Sequence, residues 1–516
     1  MPLIYPAMKK LHLLLLSFLI CLTVNAQNID RSKFIRDSLD TYINRALTNW
    51  RIPGAAVGIV KDGKIVLMKG YGIKELGVMN KVDQNTLFMI GSNTKAFTAT
   101  ALAMLQADKK LSLDDKVTKY IPEFKLENKP ATELALIRDL LCHRLGFRTF
   151  QGDFTFYNTN LARYEVIKKL GEMKATYPFR TTWGYTNAAF LTAGEIIPRV
   201  TGKQWEVYLK ESIFAPLGMS NTLALTVDMP KAINRTVAHT LIDGRLAAIP
   251  YANLDGLAPA GSISSSATDM GKWMLALLAE GKVGNKQVIP AAAIEATRQP
   301  MDYVGSVKHL NGEMDFELYG LGWFLQNYSG HRLVMHDGGV SGYVSSVTLV
   351  PDMELGIVIL TNTDQNLFYD ALRWEILDAY FKQKYRNYSD INLEQFKAST
   401  NIDRLVDKKR TDSVALNLKP ALSLNKYTGK YTNEFYGSLD ITEGETNTLE
   451  IRFEHHPKMF ARLQALGGNR FYVTFSDPVL GKAVFPFTVV NGKVTNLRVK
   501  VANFVERGPY DFKKVN

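Results

Sequence analysis

Ser92 and Lys95 stand three residues apart in the stretch GSNTKAFTATALAML, which begins at Gly91 and runs into apolar residues. Residues three apart on a helix share a face, so the lysine amine can reach the serine hydroxyl. A serine hydroxyl is a poor nucleophile until a base takes its proton. Lysine serves as that base only where burial or neighbouring cations lower its pKa. A plain helix start with a solvated lysine gives the same pattern. Tyr185, in WGYTNAAF, is a second candidate for proton transfer, because a phenol beside an ammonium is easier to ionise. Asn187, two residues on, offers an amide to a substrate or to the local backbone. His336 opens the run HDGG and would titrate near pH ~6.5 if unperturbed. A histidine bonding its own turn is the competing reading there.

Each pattern is weak alone. Ser-x-x-Lys occurs twice, at Ser92 and Ser423, and only the first precedes an apolar helix. Tyr-x-Asn occurs five times, so order and context carry the weight. Cys142, His143 and Trp323 read as core, and Gly146 as part of a loop. Trp183 suits a pocket wall or a core. The eight histidines are scattered, and His455-His456 lacks acidic or cysteine partners at ligand spacing, so no metal site is expected. No phosphate-cradling glycine loop accompanies a suitable strand and helix.

The elements around these residues follow from periodicity. Phe34–Leu47 has helical spacing, and AAVGIVKDGKIVLMKGYG reads as two strands about an Asp62-Gly63 turn. Ser92–Leu105 is apolar nearly all round, the mark of a buried helix. Residues 110–300 read as mainly helical with loops. RLVMHDGG, VSSVTLVPD and LGIVILTNT read as three antiparallel strands, followed by a helix over Leu367–Phe381. First and last strands can then pair in one sheet, with the helical segment inserted between them. A polar connector, partly helical, follows residue 390. From Ser423 the period becomes two, and Asn491-Gly492 signals a hairpin, giving a small all-β domain of barrel type.

The chain has 516 residues and 46% hydrophobic content, enough for two or three domains with a large core. Its net charge of +12 is spread along the chain without basic–aromatic blocks, which argues against nucleic acid as a partner. Lys9 and Lys10 precede LHLLLLSFLICLTVNAQ, which reads as a secretory signal cut after Ala26, with Met8 an alternative start. The run is short for a membrane span, and no other segment reads as one. Ile20 before Cys21 fits a lipid-anchor site poorly. After cleavage Cys142 is the one cysteine left, so the fold rests on packing.

Taken together, GSNTKAFTA, WGYTNAAFLTAGEIIPRVTG followed by IFAPLGMSNT, and HDGGVSGY resemble the three signatures of the serine β-lactamase and penicillin-binding fold. The branch is that of class C β-lactamases, D-aminopeptidases and family VIII esterases. DLLCHRLGF and PAGSISSSATDMGKW resemble further segments of it, over residues of about 30 to 385. The last hundred residues resemble the lipocalin-like domain that follows some of these hydrolases. The resemblance implies that Tyr185 activates Ser92 and protonates the leaving group, that Lys95 holds the charge balance, and that Asn187 orients the substrate amide. It implies an oxyanion hole of the Ser92 and Gly339 N–H groups, with Gly338 beside them. His336 stands where many relatives have the lysine of a Lys-Thr-Gly motif. That departure weakens fixed positive charge at the substrate and argues against efficient β-lactam or D-Ala-D-Ala cleavage.

The resulting expectation is an α/β (α+β) protein. A signal peptide spans 1–26, and a β-lactamase-like hydrolase domain spans 27–390, its antiparallel sheet flanked by helices around an inserted helical subdomain. A connector follows at 391–420, and a C-terminal all-β, lipocalin-like domain at 421–516. It would be an exported serine hydrolase, periplasmic or secreted, needing no cofactor. A Ser92 acyl-enzyme would form on a small acylated or peptide substrate, D-residues included, with homo-oligomers left open. Small-ester hydrolysis and class C-like β-lactamase activity are alternatives. A non-catalytic penicillin-binding or cell-wall sensor is a rival, as is an apolar-ligand carrier role for the β domain.

Overall fold

A computed structural model describes residues 33–515. The expected signal segment lies outside the described residues. Helix α1 (Leu39–Trp50) follows a π-helical turn at Phe34–Ser38 and presents Leu39, Ile43, Ala46 and Leu47 to the core. It leads into β1 (Gly54–Lys61), β2 (Lys64–Glu75) and β3 (Val78–Lys81). The chain then leaves the sheet through α2 (Thr94–Ala107) and a long helical insertion that includes α3 (Asn187–Gly194) and α4 (Ala267–Leu278). It returns as β4 (Asp302–Lys308), β5 (Met314–Tyr319), β6 (Phe324–Tyr328), β7 (His331–Val340), β8 (Tyr343–Val350) and β9 (Leu355–Thr361). The nine strands order as β4-β5-β6-β7-β8-β9-β1-β2-β3, with β1 antiparallel to β9.

β1 and β9 are buried on both faces, which is why they read as unbroken apolar runs. Along β1, Ala56 and Val60 face the core shared with α2 and α4. Ala55, Val57 and Ile59 face the opposite core, formed with α1 and α5 (Phe368–Tyr380). The sheet is therefore a middle layer between two helical layers. The strands β4–β6, which periodicity did not announce, are half-exposed at the sheet edge, so their apolar alternation is diluted. The insertion is mainly helical, but it also carries a hairpin over Ala238–Ile242 and Arg245–Ile249.

The polar segment read as a connector is one continuous helix, α6 (Tyr388–Ala415), buried only at Tyr388, Ser389 and Leu393. With so little to bury, its periodicity gave no apolar stripe. Eight strands between Gly429 and Lys514 close into an antiparallel barrel. Alternate residues point inward, and Tyr431, Leu439, Ile451, Leu463, Phe471, Phe485 and Leu497 pack as one fully buried cluster. That packing removes the room the ligand-carrier reading needs. Asp407 of α6 accepts hydrogen bonds from Tyr472 (2.5 Å) and Lys482 (3.0 Å), tying the helix to the barrel.

Candidate active site

The site forms where α2, α3 and β7 converge. Gly91 adopts φ +52°, a left-handed value, and a 3-10 turn over Gly91–Asn93 runs into α2. A Cβ at Gly91 would stand 3.0 Å from the Gly339 nitrogen, so the bare backbone lets β7 approach the nucleophile. Gly338 is equally constrained, because a Cβ there would come 1.9 Å from the Ile90 carbonyl oxygen. Ser92 is half-buried, while Lys95, one turn on, is fully buried.

Lys95 Nζ lies 3.1 Å from Ser92 Oγ, 2.7 Å from Asn187 Oδ1 and 2.8 Å from the Ala260 carbonyl oxygen. The last two oxygens can only accept. A neutral amine satisfies both with its two N–H bonds and leaves its lone pair toward the Ser92 hydroxyl. Burial pushes the Lys95 pKa well below the ordinary lysine value, which favours that neutral form. The ring of Tyr185 lies 4.5 Å below the same nitrogen, and its phenol shares a hydrogen bond with Ser92. Burial pushes the phenol up from its ordinary value, so Tyr185 holds its proton at neutral pH. The adjacent ammonium expected to ease its ionisation is absent, because Lys95 is held in its neutral form.

His143 packs in the core, as its sequence context suggests, yet it sits directly under the site. Its ring stacks on Tyr185 with centroids 4.3 Å apart, and its Nδ1 accepts from the Thr186 N–H at 3.0 Å. Trp183 packs against Tyr185, Tyr319 and Phe324, and Trp323 is buried. His336 is buried with its Nδ1 2.6 Å from the Asp337 carbonyl, so that nitrogen carries the proton. Nε2 then accepts from Tyr319 Oη at 3.2 Å. Burial, reinforced by Lys95, pulls the His336 pKa down to about 3, far below the unperturbed value. It is a neutral imidazole with both nitrogens engaged.

Three contributors have no signature in the sequence. Asp153, at the start of a short helix (Asp153–Phe156), accepts from Asn187 Nδ2 at 2.5 Å. Burial pushes its carboxyl up to about 7, against the Asn187 bond and with Glu506 adding to the rise. Glu506 comes from the last long loop of the barrel. It accepts from the Gly152 N–H at 2.9 Å, the Phe154 N–H at 3.2 Å and the Tyr436 hydroxyl. Phe504 of the same loop rests on Gly339: a Cβ there would lie 3.1 Å from its ring. Nearby, a cavity of about 430 Å³ opens between Ser341 at the end of β7, Phe154 and Tyr251 of the insertion, and Met459 and Leu480 of the barrel. Among the described residues, no group of three His, Cys, Asp or Glu side chains is placed to hold a metal.

This arrangement is a serine–lysine–tyrosine site on an antiparallel sheet with a helical insertion. The chain belongs to the beta-lactamase family, whose model matches residues 39–381. A second model, a domain of unknown function (DUF3471), matches residues 415–514. The chain is 30% identical over 434 residues to an unguisins hydrolase of Aspergillus campestris, covering 79% of this chain and 78% of that protein. It is 27% identical over 377 residues to the protein flp of Staphylococcus aureus, covering 71% and 70%. The octameric penicillin-binding protein homologue of Pyrococcus abyssi superposes with a TM-score of 0.60 at 21% identity, over 92% of this chain and 99% of that one. A D-stereospecific amidohydrolase from Streptomyces gives 0.53 at 21%, over 63% and 94%. These two likenesses are of fold. Family and hydrolase-named relatives together support a serine hydrolase in general terms.

Proposed function

We propose that the chain is an exported serine hydrolase that cleaves amide bonds in peptide-like substrates through an acyl-enzyme at Ser92. The observation that carries the reading is Lys95, whose nitrogen meets Ser92 Oγ at 3.1 Å while its other two contacts are carbonyl oxygens. Neutral Lys95 takes the Ser92 proton as Oγ bonds to the substrate carbonyl carbon. The oxyanion forms against the N–H groups of Ser92 and Gly339, beside the positive end of α2. Collapse breaks the bond to the leaving amine, which takes a proton from Tyr185; Lys95 returns its own to Tyr185. Water then attacks the ester with the same groups in reversed roles.

Amide substrates are favoured over esters by the protonated Tyr185, because a leaving amine needs a donated proton more than an alkoxide does. The neutral, engaged His336 supplies no fixed cation for a substrate carboxylate, which weighs against β-lactams. Export rests on the N-terminal basic and apolar pattern alone. Self-assembly is a further part of the reading, supported by the octameric relative in fold. The test is labelling with a fluorophosphonate, read by intact mass. One adduct in the native protein and none in Ser92→Ala is the expected result; no adduct in the native protein would leave a binding protein.

A further inference from the structure

The barrel reaches the nucleophile through an unbroken chain of short contacts. Glu506 grips the backbone N–H groups on either side of Asp153, at Gly152 and Phe154. Asp153 in turn receives the Asn187 amide at 2.5 Å, Asn187 Oδ1 receives Lys95 at 2.7 Å, and Lys95 meets Ser92 at 3.1 Å. Amide orientation makes the chain directional. Because Asn187 Nδ2 points to Asp153, its oxygen is turned to Lys95. A flipped amide would set two N–H donors against the lysine and break the site.

We propose that Glu506 is a positioning residue: from the barrel it holds Asp153 against Asn187 and thereby fixes the amide that receives Lys95. The two acids also divide their charge. Glu506 has three donors, two backbone N–H groups and the Tyr436 hydroxyl, and so holds the negative charge. Asp153 has one donor, and its Oδ1 is buried with no hydrogen-bond partner among the described residues, so it holds the proton. Around Glu506 the titratable groups are Arg148, Tyr436, Tyr510 and Asp153. Those that couple to Asp153 are Glu506 and Lys95, and Tyr185, His143 and His336 complete the surroundings of Lys95. Loss of the Glu506 charge would let Asp153 ionise at lower pH. The new anion would then raise the proton affinity of Lys95. Asp153→Asn, as neutral as the protonated acid, would leave that affinity unchanged.

That contrast separates positioning from a merely structural clamp. The importance of Lys95 rests on the hydrolase reading, but its protonation can be followed without turnover, by NMR titration of lysine-labelled protein. Relative to the native chain, Glu506→Ala should raise the Lys95 pKa by about one unit, a ~10-fold change in neutral amine, whereas Asp153→Asn should leave it unchanged. Glu506→Gln, which keeps an acceptor for Gly152 and Tyr436, should preserve the Asn187 orientation better than Glu506→Ala and label faster with fluorophosphonate at high pH, where Lys95 is neutral in both. If Glu506→Ala fails to fold, the Glu506→Gln titration decides, with the same upward sign. An unchanged Lys95 titration in the Glu506 variants, or a shift of the same sign in Glu506→Ala and Asp153→Asn, would overturn the proposal. A native protein that titrates as described but takes no label would overturn the hydrolase reading instead.

Discussion

Phe504 lies on Gly339: the barrel ring stands so close to this strand residue that a Cβ there would lie 3.1 Å from it. Arg507, three residues on in the same loop, sits 5.8 Å from the ring of Phe150, which packs edge-on against Tyr185. The C-terminal barrel loop therefore forms a wall beside these site residues.

Truncating that wall should change selectivity more than chemistry. Phe504→Ala should improve kcat/KM for bulky amides over small ones by ~10-fold, the scale of one lost apolar contact or clash. The ratio between a small and a branched substrate measures this, and an unchanged ratio would remove Phe504 from the substrate path.

Ser92→Ala should reduce hydrolysis by roughly 10⁴-fold or more, with the melting temperature retained. Lys95→Ala should lose a comparable amount, because Tyr185, the other buried group that meets Ser92, holds its proton at neutral pH. Intact-mass labelling and single-turnover rates read both variants; a fast Lys95→Ala protein would transfer the role of base to Tyr185.

His336→Lys should destabilise the fold instead of recruiting carboxylate substrates. The position is buried beside Lys95, so an ammonium there would be desolvated without a counter-charge. Thermal melting should show a loss of about 3 kcal/mol or more, the scale of an uncompensated buried charge. His336→Ala should leave the rate ratio for a carboxylate substrate and its amide unchanged. A changed ratio would mean that the imidazole reads the substrate.

Stability should carry the imprint of the buried acids. Burial pushes Asp153 and Glu506 both up to about 7, and because Glu506 has the donors, the proton the pair keeps sits on Asp153; between about pH 4 and 7 the folded state therefore binds a proton that the unfolded chain releases. Stability from that proton is complete below pH ~4 and is lost as pH rises toward 7, at no more than about 1.4 kcal/mol per pH unit. His336, pulled down to about 3, acts in the reverse sense, favouring the fold as pH rises from about 3 to 6.5. Chemical denaturation of Asp153→Asn across pH 4–7 should therefore show a shallower decline than the native protein. Equal slopes would place the proton elsewhere.

The sequence by itself determined the parts of this protein whose physics is local. Ser92 and Lys95 are one helical turn apart, and a helix apolar on every side had to be buried, so their proximity and the burial of the helix were legible together. β1 and β9 were legible because strands buried on both faces are apolar throughout. The period-two pattern after Ser423 announced the barrel because each strand has one buried face. Tertiary structure decided what depends on approach between distant segments. The edge strands β4–β6 and helix α6 bury too little to leave a pattern. His336 reads as a titrating group in isolation; burial and its bonds to Asp337 and Tyr319 make it a neutral one. Asp153 and Glu506 look like two ordinary acids among fifty, and only the docking of the barrel loop onto Gly152 and Phe154 brings them within reach of Lys95. Side-chain desolvation and long-range contact belong to the folded chain, and no spacing in the sequence encodes them.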